Sequence, residues 1–354
     1  MIKVLVPWAP TADQVLPYLR ALDENRHYTN NGPLVKELER RMDGVSVSSA
    51  TLGLELAAPL VFHAKQVRIP AFTFVATATA LIRAGFEPVL CDIDEDWALV
   101  DPDEQSLSVC PFGAAVAPAG MVDAAAAWGN QHQGVRVFSL HATKALSGGE
   151  GGMVCGLDDE QMARVRSLAN FGLRASTRFE HGIVTESGTN AKMSEYHAAV
   201  ALASLDQWEE TSAERKQLSA LYIERLGAEI HALPIEVQPR PNGVYTTFPI
   251  LVENAERVAF DMASKGVETR RWYTPTLERH PAFRHLEREG DLHNCKRMNE
   301  ELLCLPFHIH LSESDVDHVC EVLEWAIRRN PMIRTYSQPI TRTASQCTAE
   351  RLSL

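Results

Sequence analysis

The chain has 354 residues, 45% hydrophobic and 23% charged, and its 34 Lys and Arg against 46 Asp and Glu leave a net charge of −12. That acidic balance, with no basic run to offset it, argues against a nucleic-acid partner. The absence of any apolar run of about 18 residues argues against a membrane span.

The opening MIKVLVPWAPTADQ has no apolar core or small-residue cleavage pattern, so a cytoplasmic protein is expected. VSVSS (45–49) reads as a short strand, and TLGLELAAPLVFHA (51–64) follows with helical periodicity. QVRIPA (66–71) is a strand, TFVATATALIRAGF (73–86) a helix and EPVLCDID (87–94) a strand again. SLSVCPFG, MVDAAAAWG, VRVFSLHA and GGMVCG then read as further short apolar strands. Strands separated by helices of ten to fifteen residues imply an α/β fold, a mainly parallel sheet flanked by helices. One connection resists this pattern. Only about eight residues join the strand ending near Phe112 to the one starting near Met121, whereas a parallel crossover takes a dozen or more. A tight loop replaces the usual helix there, or one strand is misread.

From Asp158 helical patterns dominate, in DDEQMARVRSLANFG and then SEYHAAVALASLDQWEETSAERKQLSALYIERLG. Past residue 240 come a strand (GVYTTFPILVE), a helix (AERVAFDMASKG), an irregular stretch through RRWYTPTLERHPAF, and a helix in HLSESDVDHVCEVLEWAIRR capped by Ser312 or Ser314. The expected division is a large α/β domain over 1–238, a smaller α+β domain over 239–331 and a polar tail over 332–354. Cys91, Cys110, Cys155, Cys295, Cys304, Cys320 and Cys347 are odd in number and never spaced CxxC, against both a disulfide framework and a zinc site. His308 and His310 alternate on a strand without a carboxylate or thiol partner nearby, so no metal is expected.

SLHATKALSGGEGGMV (139–154) places Lys144 just past an apolar strand, among small residues and before two glycine pairs. Ligands of open α/β sheets sit at the carboxyl ends of strands. A lysine desolvated there loses proton affinity and becomes a nucleophilic amine able to form a Schiff base. The glycines do not form a P-loop, because GxxxxGK[ST] is absent.

Taken together with YTNNGPLVKELE (28–39), SSATLGLELA (48–57), IPAFTFVATATALIRAGFEPVLCDID (69–94), MVDAAAAWG, ESGTNAKMSEYHAAVALASL and LPFHIHLSE, this stretch resembles the DegT-type aminotransferases. These are fold-type I pyridoxal-phosphate enzymes acting on nucleotide-linked keto-sugars, and the blocks occur in family order from about Tyr28 to Trp325. The resemblance implies a PLP-dependent transferase fold in which Lys144 is the Schiff-base lysine and proton carrier and Asp123 pairs with the pyridinium nitrogen. It implies that Phe74 stacks on the cofactor ring and that Thr51, the backbone of Leu52 and Ser139 hold its phosphate. Asn190 would reach the phosphate of a second subunit, implying a homodimer with shared active sites. Candidate substrate contacts are Tyr28, Asn30, Arg174, Arg178, Lys192, Arg271, Tyr273 and His308. The implied reaction moves an amino group from glutamate to a keto-deoxy-sugar on a nucleoside diphosphate, at C4 rather than C3. Two rivals remain: a PLP-dependent sugar dehydratase and a non-catalytic PLP-binding paralogue or regulator. The dehydratase branch carries histidine in place of the Schiff-base lysine, and Lys144 disfavours it. Two positions depart from the family pattern. Ala126 stands where many members have Gln or His against the cofactor's 3′-oxygen, and Lys192 replaces the arginine of GxNxRM without its bidentate fork.

Overall fold

A computed structural model describes residues 1–117, 119–129, 133–173, 184, 186–229, 235–237, 239 and 243–330. Arg174, Arg178, Cys347 and the tail from 332 lie outside the described residues. The chain runs α1 (Ala12–Asn25), α2 (Pro33–Met42), β1 (Gly44–Val47), α3 (Ala50–Val61), β2 (Gln66–Pro70), α4 (Val75–Arg83) and β3 (Glu87–Cys91). It continues through β4 (Leu107–Val109), β5 (Met121–Asp123), β6 (Val135–Ser139), β7 (Gly152–Cys155), α5 (Asp159–Ala169), α6 (Glu195–Asp206) and α7 (Trp208–Glu229). It closes with β8 (Ile235–Val237), β9 (Phe248–Val252), α8 (Ala255–Ser264), β10 (Glu287–Arg288), α9 (His293–Glu301), β11 (Leu302–Leu305) and α10 (Glu313–Arg329).

β1, β7, β6, β5 and β4 are hydrogen-bonded neighbours in that order. β4, β5 and β6 run parallel, while β7 is antiparallel to both β6 and β1. β2 and β3 pair in parallel, and a parallel bridge from Arg68 to Ser106 links β2 to β4. The sheet is therefore mainly parallel, with one reversed strand beside the Lys144 loop. β7 is buried along its whole length, as a strand covered on both faces must be. α3 lies against β6 and β7, approaching closely at Gly53, where a Cβ would come within 2.8 Å of Val137 and 3.2 Å of Val154. A second, antiparallel sheet of β11, β9 and β8 packs with α7, α8 and α10, its core built on Tyr222, Phe248 and Phe307.

β4 and β5 are adjacent parallel strands, so the short connection is a loop without a crossover helix. Its 3₁₀ turn at Pro111–Gly113 reverses the chain by taking Phe112 and Gly113 into left-handed conformations, φ 58° and 107°. The cost at Phe112 is offset by packing, because its ring meets Phe72, Trp97 and Tyr273.

The segment ahead of β1 is held from a distance. Glu195, 1% exposed at the start of α6, accepts hydrogen bonds from the Leu34 and Val35 N–H groups at 2.7 and 3.1 Å, in the first turn of α2. Gly32 caps that helix because a Cβ there would fall 2.7 Å from the Glu195 carboxyl carbon. Glu195→Ala leaves two buried donors unanswered and should cost about 3 kcal/mol. The expected readout is a thermal midpoint lowered by several degrees, with Glu195→Gln losing much less.

Candidate active site

The carboxyl ends of β5 and β6 and the N-termini of α3 and α4 converge on a cavity of about 370 Å³, large enough for a cofactor. Its wall includes Thr51, Phe74, Asp123, Ser139, Lys144 and Tyr273. Six residues expected from the sequence to contact cofactor or substrate thus come together from five separate stretches of chain.

Lys144 sits half-buried in the loop between β6 and β7. That loop is closed across its base, with Leu140 N–H donating to Gly151 C=O and Ala142 N–H to Gly149 C=O, and the Ser204 hydroxyl of α6 donates to Ser147 C=O. The glycines make the loop possible. Gly151 has φ 141°, and a Cβ on Gly152 would lie 2.6 Å from Ala50 N, so a side chain there would push α3 away from the cavity. Burial lowers the Lys144 pKa from the ordinary lysine value, against an upward pull from Asp123.

Asp123 ends β5, 6% exposed. The Thr77 hydroxyl donates to its Oδ2 at 2.8 Å and the Ala125 N–H to its Oδ1 at 3.1 Å. Among the described residues it has no cation within ion-pair distance. Burial pushes its pKa up, while the two hydrogen bonds and the Lys144 charge pull it down. A desolvated carboxylate held only by neutral donors is a ready partner for a cationic N–H.

Phe74 is the N-cap of α4 and 57% exposed, with its ring tilted 6.4 Å from that of Tyr273. Tyr273 in turn lies flat on Phe112 at 5.0 Å. Ser139 accepts the His141 N–H at 3.2 Å, which leaves its own proton available to a ligand. Thr51 lies in the first turn of α3, where backbone N–H groups lack helical acceptors. Leu52 is placed differently from expectation. Its N–H donates to the Ser49 hydroxyl at 3.3 Å as part of the helix cap, and the residue is not in the cavity wall.

The remaining candidates lie elsewhere. Tyr28 stacks on Tyr196 at 6.2 Å, and Asn30 is exposed with φ 62°. Asn190 is exposed outside the cavity wall, its Oδ1 accepting from Lys192 Nζ at 2.6 Å, and that amine lies over the Phe171 ring. Arg271 donates to the Leu302 and Asn299 carbonyls, so it fastens α9 and β11 rather than lining the cavity. His308 is buried outside the wall, its pKa lowered by burial and by His310. Among the described residues no three His, Cys, Asp or Glu side chains assemble into a metal-binding group, and no helix is long and apolar enough to cross a membrane.

Several wall residues were not anticipated. Thr73 lines the cavity just ahead of the N-cap Phe74, and Thr77 stands behind the wall with its hydroxyl 2.8 Å from that of Thr73; both were available from TFVAT, whose i, i+4 spacing brings the two hydroxyls together. Leu5, Thr246 and Thr247 line the cavity through long-range packing and carry no local signal.

A model of the DegT/DnrJ/EryC1/StrS aminotransferase family matches residues 11–122 and 120–324. The chain belongs to this family. Two relatives of this DegT-family chain, named for nucleotide-sugar substrates, span most of it. A dTDP-4-amino-4,6-dideoxy-D-glucose transaminase of Shigella dysenteriae is 26% identical over 91% of the chain and 98% of its own length. A UDP-2-acetamido-2-deoxy-3-oxo-D-glucuronate aminotransferase of Pseudomonas aeruginosa is 25% identical over 82% of the chain and 90% of its own length. The solved structure of DesI with its TDP-sugar product has a TM-score of 0.78 and 28% identity, covering 92% of each chain. The fold is that of the PLP-dependent transferases, and pyridoxal phosphate is the cofactor of this DegT-family protein. The residues present fit that group: a buried carboxylate without a cation, an exposed aromatic face, a helix N-terminus with a free serine proton, and a lysine of lowered proton affinity share one cavity.

Proposed function

We propose that this aminotransferase moves an amino group from glutamate to the C4 keto carbon of a deoxy-sugar carried on a nucleoside diphosphate. The observation that carries this reading is the pairing of Lys144 and Asp123 in one cavity, each desolvated and neither joined to the other by an ion pair. Bound there, pyridoxal phosphate supplies a carbonyl that condenses with primary amines and a ring that accepts the electron pair of a breaking C–H bond.

The chain's own residues do the rest. Asp123 accepts a hydrogen bond from the ring N–H and keeps that nitrogen protonated. Phe74 covers one ring face. Thr51, Ser139 and the N-terminus of α3 hold the phosphate, with the helix dipole favouring the dianion. The Leu52 N–H stays on its cap. Lys144, whose ammonium form burial disfavours, takes the proton from the substrate carbon and returns it at the other end of the transfer.

Among the described residues Lys144 is the one lysine of the wall, which holds no arginine, whereas glutamate and a nucleoside diphosphate are both anions. Asn190 and Lys192, exposed or half-exposed beyond the wall, serve a second copy of the chain in a homodimer with shared sites. Arg174, Arg178, Tyr28 and Asn30 supply further substrate contacts, while Arg271 and His308 support the fold. The relative named for a 4-amino-4,6-dideoxy sugar supports C4.

The test is incubation with ¹⁵N-glutamate and a panel of 3-keto and 4-keto nucleotide sugars, read by product mass. The expected product carries ¹⁵N in place of the C4 keto oxygen. A product that has lost a hydroxyl without gaining nitrogen would make the chain a dehydratase, and no product from any sugar would leave a cofactor binder.

A further inference from the structure

One chain of hydroxyls leads away from the cavity floor. Thr77 spends its single proton on Asp123 Oδ2, so the 2.8 Å contact between Thr73 Oγ1 and Thr77 Oγ1 is made by the Thr73 proton. The Ala125 N–H pins the other carboxylate oxygen. With one donor on each oxygen the carboxylate plane cannot rotate, and its remaining lone pairs are fixed in direction. Both threonines are buried; Thr77 lies in the first turn of α4 and Thr73 just ahead of its N-cap, Phe74. The Thr77 N–H donates to Phe74 C=O at 3.2 Å, which sets this first turn.

We propose that Thr77, itself oriented by Thr73, is a positioning residue that aims the Asp123 carboxylate at the ring nitrogen of the bound cofactor. This rests on reading the cavity as the pyridoxal phosphate site. One helix start then fixes both the face of the ring, through Phe74, and the in-plane partner of its nitrogen, through Thr77. The same hydroxyl stabilises the ionised carboxylate against its burial, since the Thr77 hydrogen bond pulls the Asp123 pKa down.

The experiment compares T77V, T77S and T73V with the wild-type full chain, each holoenzyme dialysed against graded pyridoxal phosphate from acid to neutral pH. T77V keeps the side-chain shape and removes the donor. It should bind the cofactor about ten- to a hundredfold more weakly, the range for losing a hydrogen bond to a charged group. T77S should bind within about threefold of wild type, and T73V should fall between. As pH falls, binding to T77V should be lost at a higher pH than in wild type, because a carboxylate without that donor protonates sooner. A change in packing alone would weaken T77V and T77S alike and leave the pH of loss unmoved, which overturns the proposal. T77V with wild-type affinity also overturns it. A wild-type chain that binds no cofactor would sink the reading of the cavity, and this proposal with it.

Discussion

Lys144→Ala is expected to lower turnover by at least about a thousandfold while leaving the thermal midpoint within a degree or two of wild type. The lysine is half-buried and its loop is held by other groups, namely the Leu140–Gly151 and Ala142–Gly149 backbone pairs and the Ser204 hydroxyl. Removing the amine therefore leaves the scaffold standing. On the proposed mechanism it takes away both the group that attaches the cofactor and the base that carries the proton, and among the described residues the wall has no second lysine. His141 is the only other nitrogen base lining the cavity among the described residues, and its Nδ1 is engaged with Thr143 at 2.9 Å. Borohydride reduction of the wild-type holoenzyme followed by peptide mapping should find the cofactor on the peptide containing Lys144. Attachment at another lysine, or native turnover in K144A, would remove the basis for the site as described.

Asp123→Asn is expected to lower turnover by about a hundred- to a thousandfold and to weaken cofactor binding by at least about tenfold. The amide is the same shape, but it cannot carry the charge that keeps a ring nitrogen protonated, and its NH₂ must face either the Thr77 hydroxyl or the Ala125 N–H. One consequence separates charge from shape. Asp123 pulls the Lys144 pKa up while burial pulls it down. Removing the carboxylate charge leaves only the downward influence, so the amine is neutral at a lower pH in D123N than in wild type. The pH profile of trinitrobenzenesulfonate labelling at Lys144, followed in cofactor-free protein, should move to lower pH in the variant. A shift to higher pH would mean the two groups do not sense one another.

The order of strands and helices from Val45 to Cys91 was readable because apolar runs of four or five residues alternate there with longer stretches of helical period, and from Leu107 to Cys155 because short apolar runs are separated by turn residues. The blocks carrying Phe74, Asp123, Ser139 and Lys144 lie at the ends of those runs, where a parallel sheet puts its ligands. Other features were written in less audible ways. α1 has a capping box from Thr11 to Gln14, but Pro17 inside it and a weakly apolar face obscure the helix. The N-cap of α9, Leu292, has φ 51° and makes no side-chain cap, so the start of that helix has no sequence signature. α6 and α7 part at Gln207 without a glycine or proline between them. Leu52 illustrates a competition that pattern reading misses. A free N–H at a helix start is available to a phosphate only if the cap residue has not already taken it, and Ser49 has. Arg271 shows the same logic for a charge, since a cation in an irregular stretch was drawn to carbonyls at the end of α9 rather than to the cavity.

Leu5 forms part of the cavity wall, and the residues just before it are held by partners far along the chain. Ile2 bridges Val267, Val4 N–H donates to Glu268 264 positions away, and Phe307 N–H donates to Val4 C=O. During synthesis residues 2–5 leave the ribosome long before any of these partners exist. The wall at Leu5 is therefore among the last parts of the molecule to be laid, and closing so long a loop is an event of the final stage of folding. Nascent chains halted between residues 156 and 266 would hold Lys144 and Asp123 on a nearly finished sheet while the pocket around them still lacked one side.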